Sequence, residues 1–237
     1  MSRIAVIVPV LGRPQNAAPL VESLMASTDE ADLVFVCSPN DCEQKSECLS
    51  LSMLHGSIVY GVAFKPGPGD YAKKIQAGYE FSRVLGDTPA PLVLLAADDL
   101  IFRPGWLEAV ERIAGEYDVG VIGTNDNANP TVKAGKHSTH PVVRRCYIDR
   151  YGGSVGEPGQ IYCELYDHQF VDNELVATAM ARGCYAHAHD AVVEHRHPLY
   201  NHTVKRDTTY AKGQARGRED HALFQSRRHL WEQEVRV

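Results

Sequence analysis

The sequence predicts an α/β protein in which a mostly parallel sheet lies between two layers of helices. Its first half alternates short apolar runs, typical of strands covered on both faces, with segments in which apolar residues recur at helical spacing. The links between these segments are short, and such alternation favours parallel strands joined by crossover helices. We therefore expect a three-layer α/β sandwich.

Five strands and four helices are predicted in residues 1–123. The strands span 4–9, 33–37, 57–63, 92–97 and 119–122, and the helices span 15–25, 42–54, 71–85 and 106–113. Beyond Gly123 the chain becomes polar, with a helix at 172–182, short strands at 185–187 and 191–193, and a charged tail of helical pattern at 207–231. Because no repeat or linker interrupts this order, we expect one domain over residues 1–237.

Length and composition are those of a globular protein. The 237 residues are 44% hydrophobic, which is enough for a large core. The longest apolar runs, 4–11 and 91–97, fall far short of the roughly 20 residues of a membrane span, and no signal-peptide pattern precedes them. A cytoplasmic protein is therefore expected. The six cysteines form no CxxC pair, which predicts free thiols rather than a zinc ribbon.

Charge is distributed unevenly along the chain. The net charge is −6, but residues 1–135 carry 17 acidic and 10 basic side chains, whereas residues 136–237 carry 13 and 14, with ten of the eleven histidines. An anionic ligand is therefore expected to meet the second half of the chain. The negative total argues against duplex DNA binding, which usually shows a strong basic excess.

The clearest chemical signal is an apolar strand that ends in Asp98 and Asp99. With a new helix beginning after Pro104, these carboxylates are expected at the edge where open α/β sheets bind ligands. Hard carboxylate oxygens at that edge can hold a divalent metal and, through it, a diphosphate. The alternative is a polar turn in which one aspartate caps the next helix.

Four segments, in order along the chain, together resemble the glycosyltransferases of the GT-A fold, family 2 in particular. Residues 9–14 look like the first nucleotide-contacting loop of that family, and Asp98-Asp99 followed by residues 104–107 is similar to its metal-binding motif and succeeding helix. Residues 170–175 resemble the segment that carries the catalytic base, and residues 193–195 the strand end whose histidine completes the metal site.

The resemblance covers about residues 3–200. It implies a GT-A-like three-layer sandwich with a mostly parallel central sheet and a smaller sheet on the acceptor side. Residues 1–123 would form the part that binds the nucleotide sugar, and residues 124–237 the part that binds the acceptor, with a helical tail.

The predicted metal ligands are Asp98, Asp99 and His195, with His197 as the alternative histidine. Mn²⁺ or Mg²⁺ takes carboxylate oxygens, and Mn²⁺ also accepts imidazole. Residues two apart on a strand face the same side, so either histidine fits the pattern. Family members often have another acidic residue before the pair, where this chain has Ala97, so the site would depend more on Asp99 and a histidine. A structural histidine in a polar cluster is the alternative role for His195.

Asp172 is predicted to be the general base that deprotonates the acceptor hydroxyl. The family motif is commonly Glu-Asp, whereas here Val171 precedes Asp172. The alternative is that Asp172 is a helix N-cap, a position that favours Asp, although Asn173 could cap instead.

Two further groups of binding residues are predicted. Those expected at the donor are Pro9, Arg13, Asn40, Asp41, Lys73 and Asp98. Those expected at the acceptor form a cationic run of His137, His140, Arg144 and Arg145. The alternatives are solvated side chains for the lysine, the arginines and the cationic run, and a helix cap for Asp41.

The implied function is transfer of a sugar from a nucleoside diphosphate sugar, with a UDP-sugar favoured, to an acceptor hydroxyl. The resemblance implies inversion at the sugar carbon. Two alternatives stay open: a sugar nucleotidyltransferase, against which the single glycine of residues 10–14 counts, and a noncatalytic metal-binding protein.

The compact chain also resembles family 2-like enzymes of bacterial viruses, some of which modify hydroxylated bases in DNA. That resemblance implies modified DNA as one acceptor and the host cytoplasm as the location. A small metabolite, a glycan or a lipid-linked hydroxyl is the alternative acceptor.

Overall fold

A computed structural model describes residues 3–233 and shows eight strands in one mixed sheet. In this part of the chain the strands are β1 (Ile4–Val10), β2 (Ala31–Cys37), β3 (Ile58–Gly61), β4 (Leu92–Leu95), β5 (Leu100–Phe102), β6 (Val121–Asn125), β7 (Val142–Arg144) and β8 (Tyr185–His195). The helices are α1 (Ala17–Ser27), α2 (Cys42–His55), α3 (Asp70–Phe81), α4 (Trp106–Glu116), α5 (Pro130–Lys133), α6 (Arg145–Tyr151), α7 (Val171–Ala181), α8 (Thr208–Ala215) and α9 (Gly217–Glu232).

The sheet is parallel on one side and mixed on the other. Its strand order is β3-β2-β1-β4-β7-β6-β8-β5, and the first four strands run parallel. Strand β7 is antiparallel to both β4 and β6, and β6 is parallel to β8. The far end of β8 also pairs antiparallel with β5, and this two-stranded extension, continuous with the central sheet through β8, is the smaller sheet. The predicted α/β class with a central and a smaller sheet is confirmed.

Helices cover both faces of the sheet because β1 is apolar on both sides. Ile4, Val6 and Val8 pack into one core cluster with residues of α1, α2 and α4. Ala5 and Ile7 point the other way and pack with residues of α3, α6 and α7. This alternation produces the three predicted layers.

The structure differs from the sequence prediction mainly beyond residue 123 and in the shortest strands. Strands β5 and β7 have three residues each, too few to show a hydrophobic period. Helices α5 and α6 lie in the polar stretch between Gly123 and residue 172, for which the sequence predicts no helix. The strands predicted at 185–187 and 191–193 are one strand, β8, whose polar middle residues His189 and Asp190 are exposed to solvent.

At Gly78 the helix α3 packs closely against β1 and β2, and replacement of this glycine should destabilise the protein. A Cβ at Gly78 would meet Ile7 and would lie 2.8 Å from Cγ2 of Val36. Gly78→Ala should therefore lower the free energy of unfolding by about 1–3 kcal/mol, measured by urea denaturation. Gly115→Ala in α4 is the control, because its Cβ would meet no atom of residues 3–233 within 4 Å, and it should stabilise by a few tenths to about 1 kcal/mol. Equal effects of the two substitutions would contradict this packing.

None of the helices in residues 3–233 combines the length and the apolar character that crossing a bilayer requires.

Candidate functional site

The candidate site lies at the carboxyl end of β4, where Asp98 and Asp99 are 3% and 7% exposed. The next residue, Leu100, begins β5 and pairs with His195 at the end of β8. This pairing brings His195 beside Asp99, with Nε2 of the histidine 3.4 Å from Oδ1 of the aspartate. The backbone amide of Arg196 also donates to the carbonyl of Asp99 at 2.9 Å. The register of one short strand pair therefore joins residues that are far apart in the chain.

A third side chain, His140, completes a candidate metal centre with Asp99 and His195. One ligand atom from each residue lies within 4.8 Å of the other two. The buried ring of His140 uses Nδ1 to contact the carbonyl of Leu95 at 3.2 Å, and its Nε2 has no hydrogen-bond partner among residues 3–233. Metal-binding histidines typically donate one ring N–H to a carbonyl or carboxylate in this way, which leaves the other nitrogen free for the metal.

The charges of the cluster also suit a cation. Burial and the nearby positive charge of His195 lower the pKa of His140 to about 3, so its imidazole is neutral at physiological pH. Burial alone would raise the pKa of Asp99, but the charges of His195 and Arg13 outweigh it and hold that pKa well below its usual range. An ionised carboxylate and a neutral imidazole are the forms that bind metals. Asp99 and His140 are therefore already in these forms, whereas burial lowers the pKa of His195 but the charge and hydrogen bond of Asp99 outweigh it and raise that pKa, so His195 would release a proton as a divalent ion binds.

The other oxygen of Asp99 faces the C-terminal part of the chain. The hydroxyl of Tyr210 in α8 donates to Oδ2 of Asp99 at 2.8 Å. The guanidinium of Arg13 lies 2.9 Å from Oδ1 of Asp98 and 3.6 Å from Oδ2 of Asp99, and it is stacked 4.4 Å from the centre of the Tyr210 ring. Asp98 is thus an ion-pair partner of Arg13 and lies outside the cluster of Asp99 and the two histidines.

A cavity of about 350 Å³ opens on this side of the two aspartates. Its walls come from the start of α1, from β5 and from the segment that connects β8 to α8. The charged and hydroxyl-bearing side chains in its lining include Asp98, Asp99, Arg196, Lys205, Asp207 and Tyr210. The mixture of cationic and anionic groups suits a ligand that carries both a metal ion and phosphate.

Asp172 lies in the first turn of α7 and faces the segment that carries His140. Its Oδ2 is 3.1 Å from Nε2 of His137, and its side chain is 17% exposed. Burial would raise the pKa of Asp172, but His137 outweighs that effect, so the pKa is lowered and the carboxylate is ionised at neutral pH. Asp172 and His140 are also close enough for the charge of each to shift the pKa of the other.

The N-cap of α7 is Phe170, so neither Asp172 nor Asn173 caps the helix. Phe170 has a φ of 67°, a left-handed conformation that costs free energy for a residue other than glycine. It is held by ring contacts with His221 and Phe224 of α9, at 5.2 and 5.4 Å between centroids. The chain thus makes a fixed bend immediately before Asp172.

The same segment is anchored by a buried carboxylate of α9. Asp220 is 3% exposed and accepts the backbone amides of residues 167, 168 and 169 at 2.7, 3.0 and 2.8 Å. Glu174 in α7 is fully buried, and its two oxygens each accept from Arg227 of α9 at 2.8 Å. The C-terminal helix therefore fixes the backbone that presents Asp172.

The residues predicted at the donor end up in different environments. Asp41 is the N-cap of α2 and also accepts the amide of Gly12 at 2.6 Å, so its capping role is confirmed. Asn40 is exposed beside it, and Pro9 lies in β1 opposite Val36. The Lys73 side chain is bonded to the carbonyl of Pro68 at 3.1 Å.

The neighbouring Lys74 is the buried lysine of α3. Its Nζ donates to the carbonyl of Val10 at 2.9 Å and pairs with Asp70 at 2.9 Å. It therefore holds the end of β1, from which the loop with Arg13 begins. The sequence predicts that Lys73 and Lys74 face the diphosphate, with solvated lysines on an exposed helix as the alternative; for Lys74 this alternative is wrong, because its side chain is buried.

The cationic run of residues 137–145 is divided between two ends of the sheet. His137 and His140 lie at the candidate site. Arg144 of β7 is the register partner of Leu92, the first residue of β4, and so lies at the opposite end of that strand. The Arg144 side chain donates to the carbonyls of Ala114 and Tyr117, and Arg145 donates to the carbonyl of Ala90 and to Ser82. The structure therefore does not bring these arginines to the carboxyl edge of the sheet.

The two predicted histidines at the end of β8 also differ. His195 belongs to the cluster, whereas Nδ1 of His197 accepts the amide of Leu199 at 3.1 Å and its ring stands against Tyr210, at 4.8 Å between centroids. Sequence reasoning missed His140 as a ligand. It places Asp207 and Tyr210 in a tail that folds over the site, but it does not indicate the contact of Tyr210 with Asp99. The histidine-rich 137–140 segment was visible as a signal, but it was assigned to the acceptor.

A mixed sheet between two helical layers, with a polar site at the carboxyl ends of its strands, is the architecture of the GT-A-like glycosyltransferase fold. A mannosyltransferase from Pyrobaculum calidifontis in complex with GDP-Man and Mn²⁺ matches with a TM-score of 0.58 and 16% identity, over 81% of this chain and 56% of that one. TarS 1–349 from S. aureus in complex with UDP matches with a TM-score of 0.60 and 13% identity, over 81% and 59%. The chain thus spans less than two thirds of either structure. No protein-family model and no curated protein sequence matches it.

Proposed function

We propose that this protein is a metal-dependent glycosyltransferase that moves a sugar from a nucleoside diphosphate sugar to an acceptor hydroxyl. The observation that carries the proposal is the cluster of Asp99, His140 and His195 at the carboxyl edge of the sheet, with the ionised Asp172 within electrostatic reach. The glycosyltransferase folds it resembles support the same reading, including one solved with GDP-Man and Mn²⁺ and one with UDP.

Asp99, His140 and His195 would hold Mn²⁺ or Mg²⁺, and their mixed oxygen and nitrogen donors favour Mn²⁺. When bound, the ion would neutralise the charge that develops on the departing nucleoside diphosphate. Asp98 holds Arg13 next to the same carboxylate, so a guanidinium also lies within reach of a phosphate. The donor side of the site would comprise Arg13, Asn40, Asp41 and Pro9, with a UDP-sugar as the favoured donor.

Asp172 would accept the proton of the acceptor hydroxyl as that oxygen attacks the sugar carbon. His137 keeps the carboxylate ionised and fixes its orientation through the 3.1 Å contact. One base on the acceptor side fits a single displacement, and we propose inversion at the sugar carbon on that ground.

A donor screen separates this function from its alternatives. UDP-, GDP- and dTDP-sugars are tested with Mn²⁺ for an increase in melting temperature, since a ligand at 100 times its Kd adds about 2.7 kcal/mol of stability. The stabilised pair is then assayed for slow metal-dependent release of the nucleoside diphosphate. Release of pyrophosphate from a nucleoside triphosphate with a sugar phosphate would instead indicate a nucleotidyltransferase. Metal binding without turnover of any donor would indicate a binding protein.

Modified DNA as the acceptor now has less support from the site than a smaller hydroxyl compound. Two of the four residues proposed to contact an acceptor, Arg144 and Arg145, bond to backbone carbonyls away from the carboxyl edge. The test is transfer to DNA that contains hydroxymethylated pyrimidines, measured over a range of salt. No incorporation under conditions where the donor is hydrolysed would exclude this acceptor and leave the transferase standing.

Replacing His140 should distinguish its role from that of His197. His140→Ala should weaken Mn²⁺ binding by at least about tenfold, because it removes a nitrogen that the fold aims into the cluster. His197→Ala should have a smaller effect, because Nδ1 of His197 is bonded to a backbone amide. The measurement is Mn²⁺ titration followed by electron paramagnetic resonance, with the exposed His189→Ala as control. The reverse order would assign His197 as the ligand.

A further inference from the structure

Tyr210 connects the C-terminal part of the chain to the candidate metal centre. The residue is 8% exposed, and its hydroxyl lies 2.8 Å from Oδ2 of Asp99 and 3.3 Å from the carbonyl of Arg196. The shorter contact is to a carboxylate, and a hydrogen bond to a charged acceptor is the stronger of the two. The single hydroxyl proton of Tyr210 is therefore directed to Asp99.

This contact determines which oxygen of Asp99 is free. Oδ1 faces Nε2 of His195 at 3.4 Å and has no hydrogen-bond partner in residues 3–233, whereas Oδ2 is held by Tyr210 and approached by Arg13. A carboxylate that is hydrogen-bonded at one oxygen cannot rotate freely about its Cβ–Cγ bond. The other oxygen therefore keeps its direction towards the two histidines.

The position of Tyr210 is itself fixed by the start of α8. The side chain of Asp207 caps this helix and accepts the amide of Tyr210 at 2.9 Å. The guanidinium of Arg13 covers one face of the Tyr210 ring, and the ring of His197 meets it edge-on. Placement of the hydroxyl thus depends on docking of α8 against the sheet.

We propose that Tyr210 is a positioning residue that fixes Asp99 for the metal, and that docking of α8 and metal binding therefore stabilise each other. The inference rests on the proposed function, because it takes Asp99, His140 and His195 as the ligands. Metal affinity then depends on a fourth residue, Tyr210, which follows Asp99 by 111 positions in the chain. By thermodynamic linkage, the free energy by which docking of α8 strengthens metal binding must equal the free energy by which bound metal strengthens docking of α8.

The test measures binding of Mn²⁺ alone, by paramagnetic resonance titration, together with hydrogen exchange of the amides of residues 208–215. Tyr210→Phe should weaken Mn²⁺ binding about 10- to 100-fold, the range typical when a hydrogen-bond partner of a metal ligand is lost. In the wild type, Mn²⁺ should slow amide exchange in α8, and in Tyr210→Phe this protection should be smaller. Tyr200→Phe, an exposed residue of the connecting segment, is the matched control.

A second pair of variants separates docking from charge. Asp207→Ala removes the helix cap, whereas Asp207→Asn keeps a capping side chain without the charge. The alanine variant should weaken Mn²⁺ binding more than the asparagine variant. This pair also tests the proposal if Tyr210→Phe does not fold.

The outcomes separate the two proposals. Wild-type affinity in Tyr210→Phe, or Mn²⁺ binding that leaves exchange of α8 unchanged, would overturn the role of Tyr210 and leave the metal centre intact. Absence of Mn²⁺ binding by the wild type would overturn the metal centre and this inference together.

Discussion

Asp172→Asn should lower the rate of sugar transfer by a factor of about 10² to 10⁴, the contribution typical of a general base. The substitution replaces the carboxylate with an amide, which cannot take up the proton of the attacking hydroxyl. It keeps the size of the side chain and an oxygen that can accept a hydrogen bond from His137. Because Phe170 occupies the N-cap of α7, helix capping is not affected. The measurement is kcat for transfer alongside the Kd of the donor.

The donor should bind to Asp172→Asn with nearly the wild-type Kd, because Asp172 contacts His137 and lies outside the metal cluster. Asp190→Asn is the control: Asp190 is an exposed residue of β8 that pairs with Arg112 at 2.7 Å. Transfer at the wild-type rate by Asp172→Asn would show that the His137–Asp172 pair is structural. A raised Kd for the donor with an unchanged kcat would show that Asp172 binds the donor and is not the base.

Asp99→Ala should have the largest effect on metal binding, raising the Kd for Mn²⁺ by more than about 100-fold, beyond what loss of an outer hydrogen-bond partner causes. It removes the only carboxylate of the cluster and leaves two histidines to hold the ion. Donor binding that depends on the metal should be lost with it. The measurement is Mn²⁺ titration, with the melting temperature as a check on folding.

Asp98→Ala is the informative comparison for Asp99→Ala. The sequence predicts both aspartates as metal ligands, whereas the structure pairs Asp98 with Arg13 at 2.9 Å, outside the cluster. We therefore expect Asp98→Ala to retain measurable Mn²⁺ affinity and to lose affinity for the nucleoside diphosphate, because Arg13 loses its partner. Equal loss of Mn²⁺ binding in both variants would restore Asp98 as a ligand.

The parts of this fold that follow from local patterns could be predicted from the sequence. The apolar run that becomes β1 is buried except at the half-buried Pro9, and Asp98 and Asp99 lie at the predicted edge because they directly follow the apolar run that contains β4. These features depend on residues that are neighbours in the chain. A one-dimensional pattern is sufficient to show them.

The features that the sequence did not reveal depend on pairing between distant segments. His140 reaches the cluster because β7, with only three residues, inserts antiparallel between β4 and β6. That insertion also carries Arg144 to the opposite end of the sheet, so a run of cationic residues is divided in space. Tyr210 reaches Asp99 because α8 docks against the sheet, and no pattern in the sequence around Asp99 indicates that contact.

The pairing of Leu100 with His195 has a consequence for folding kinetics. The site is complete only when β8 has paired with β5, a contact between segments far apart in the chain. Such contacts carry a large loop-closure cost and are expected to form late, after the locally connected β1–α1–β2 part. An ion bound at this joint would then stabilise the native state without stabilising the transition state. Mn²⁺ should therefore slow unfolding and leave the rate of refolding nearly unchanged.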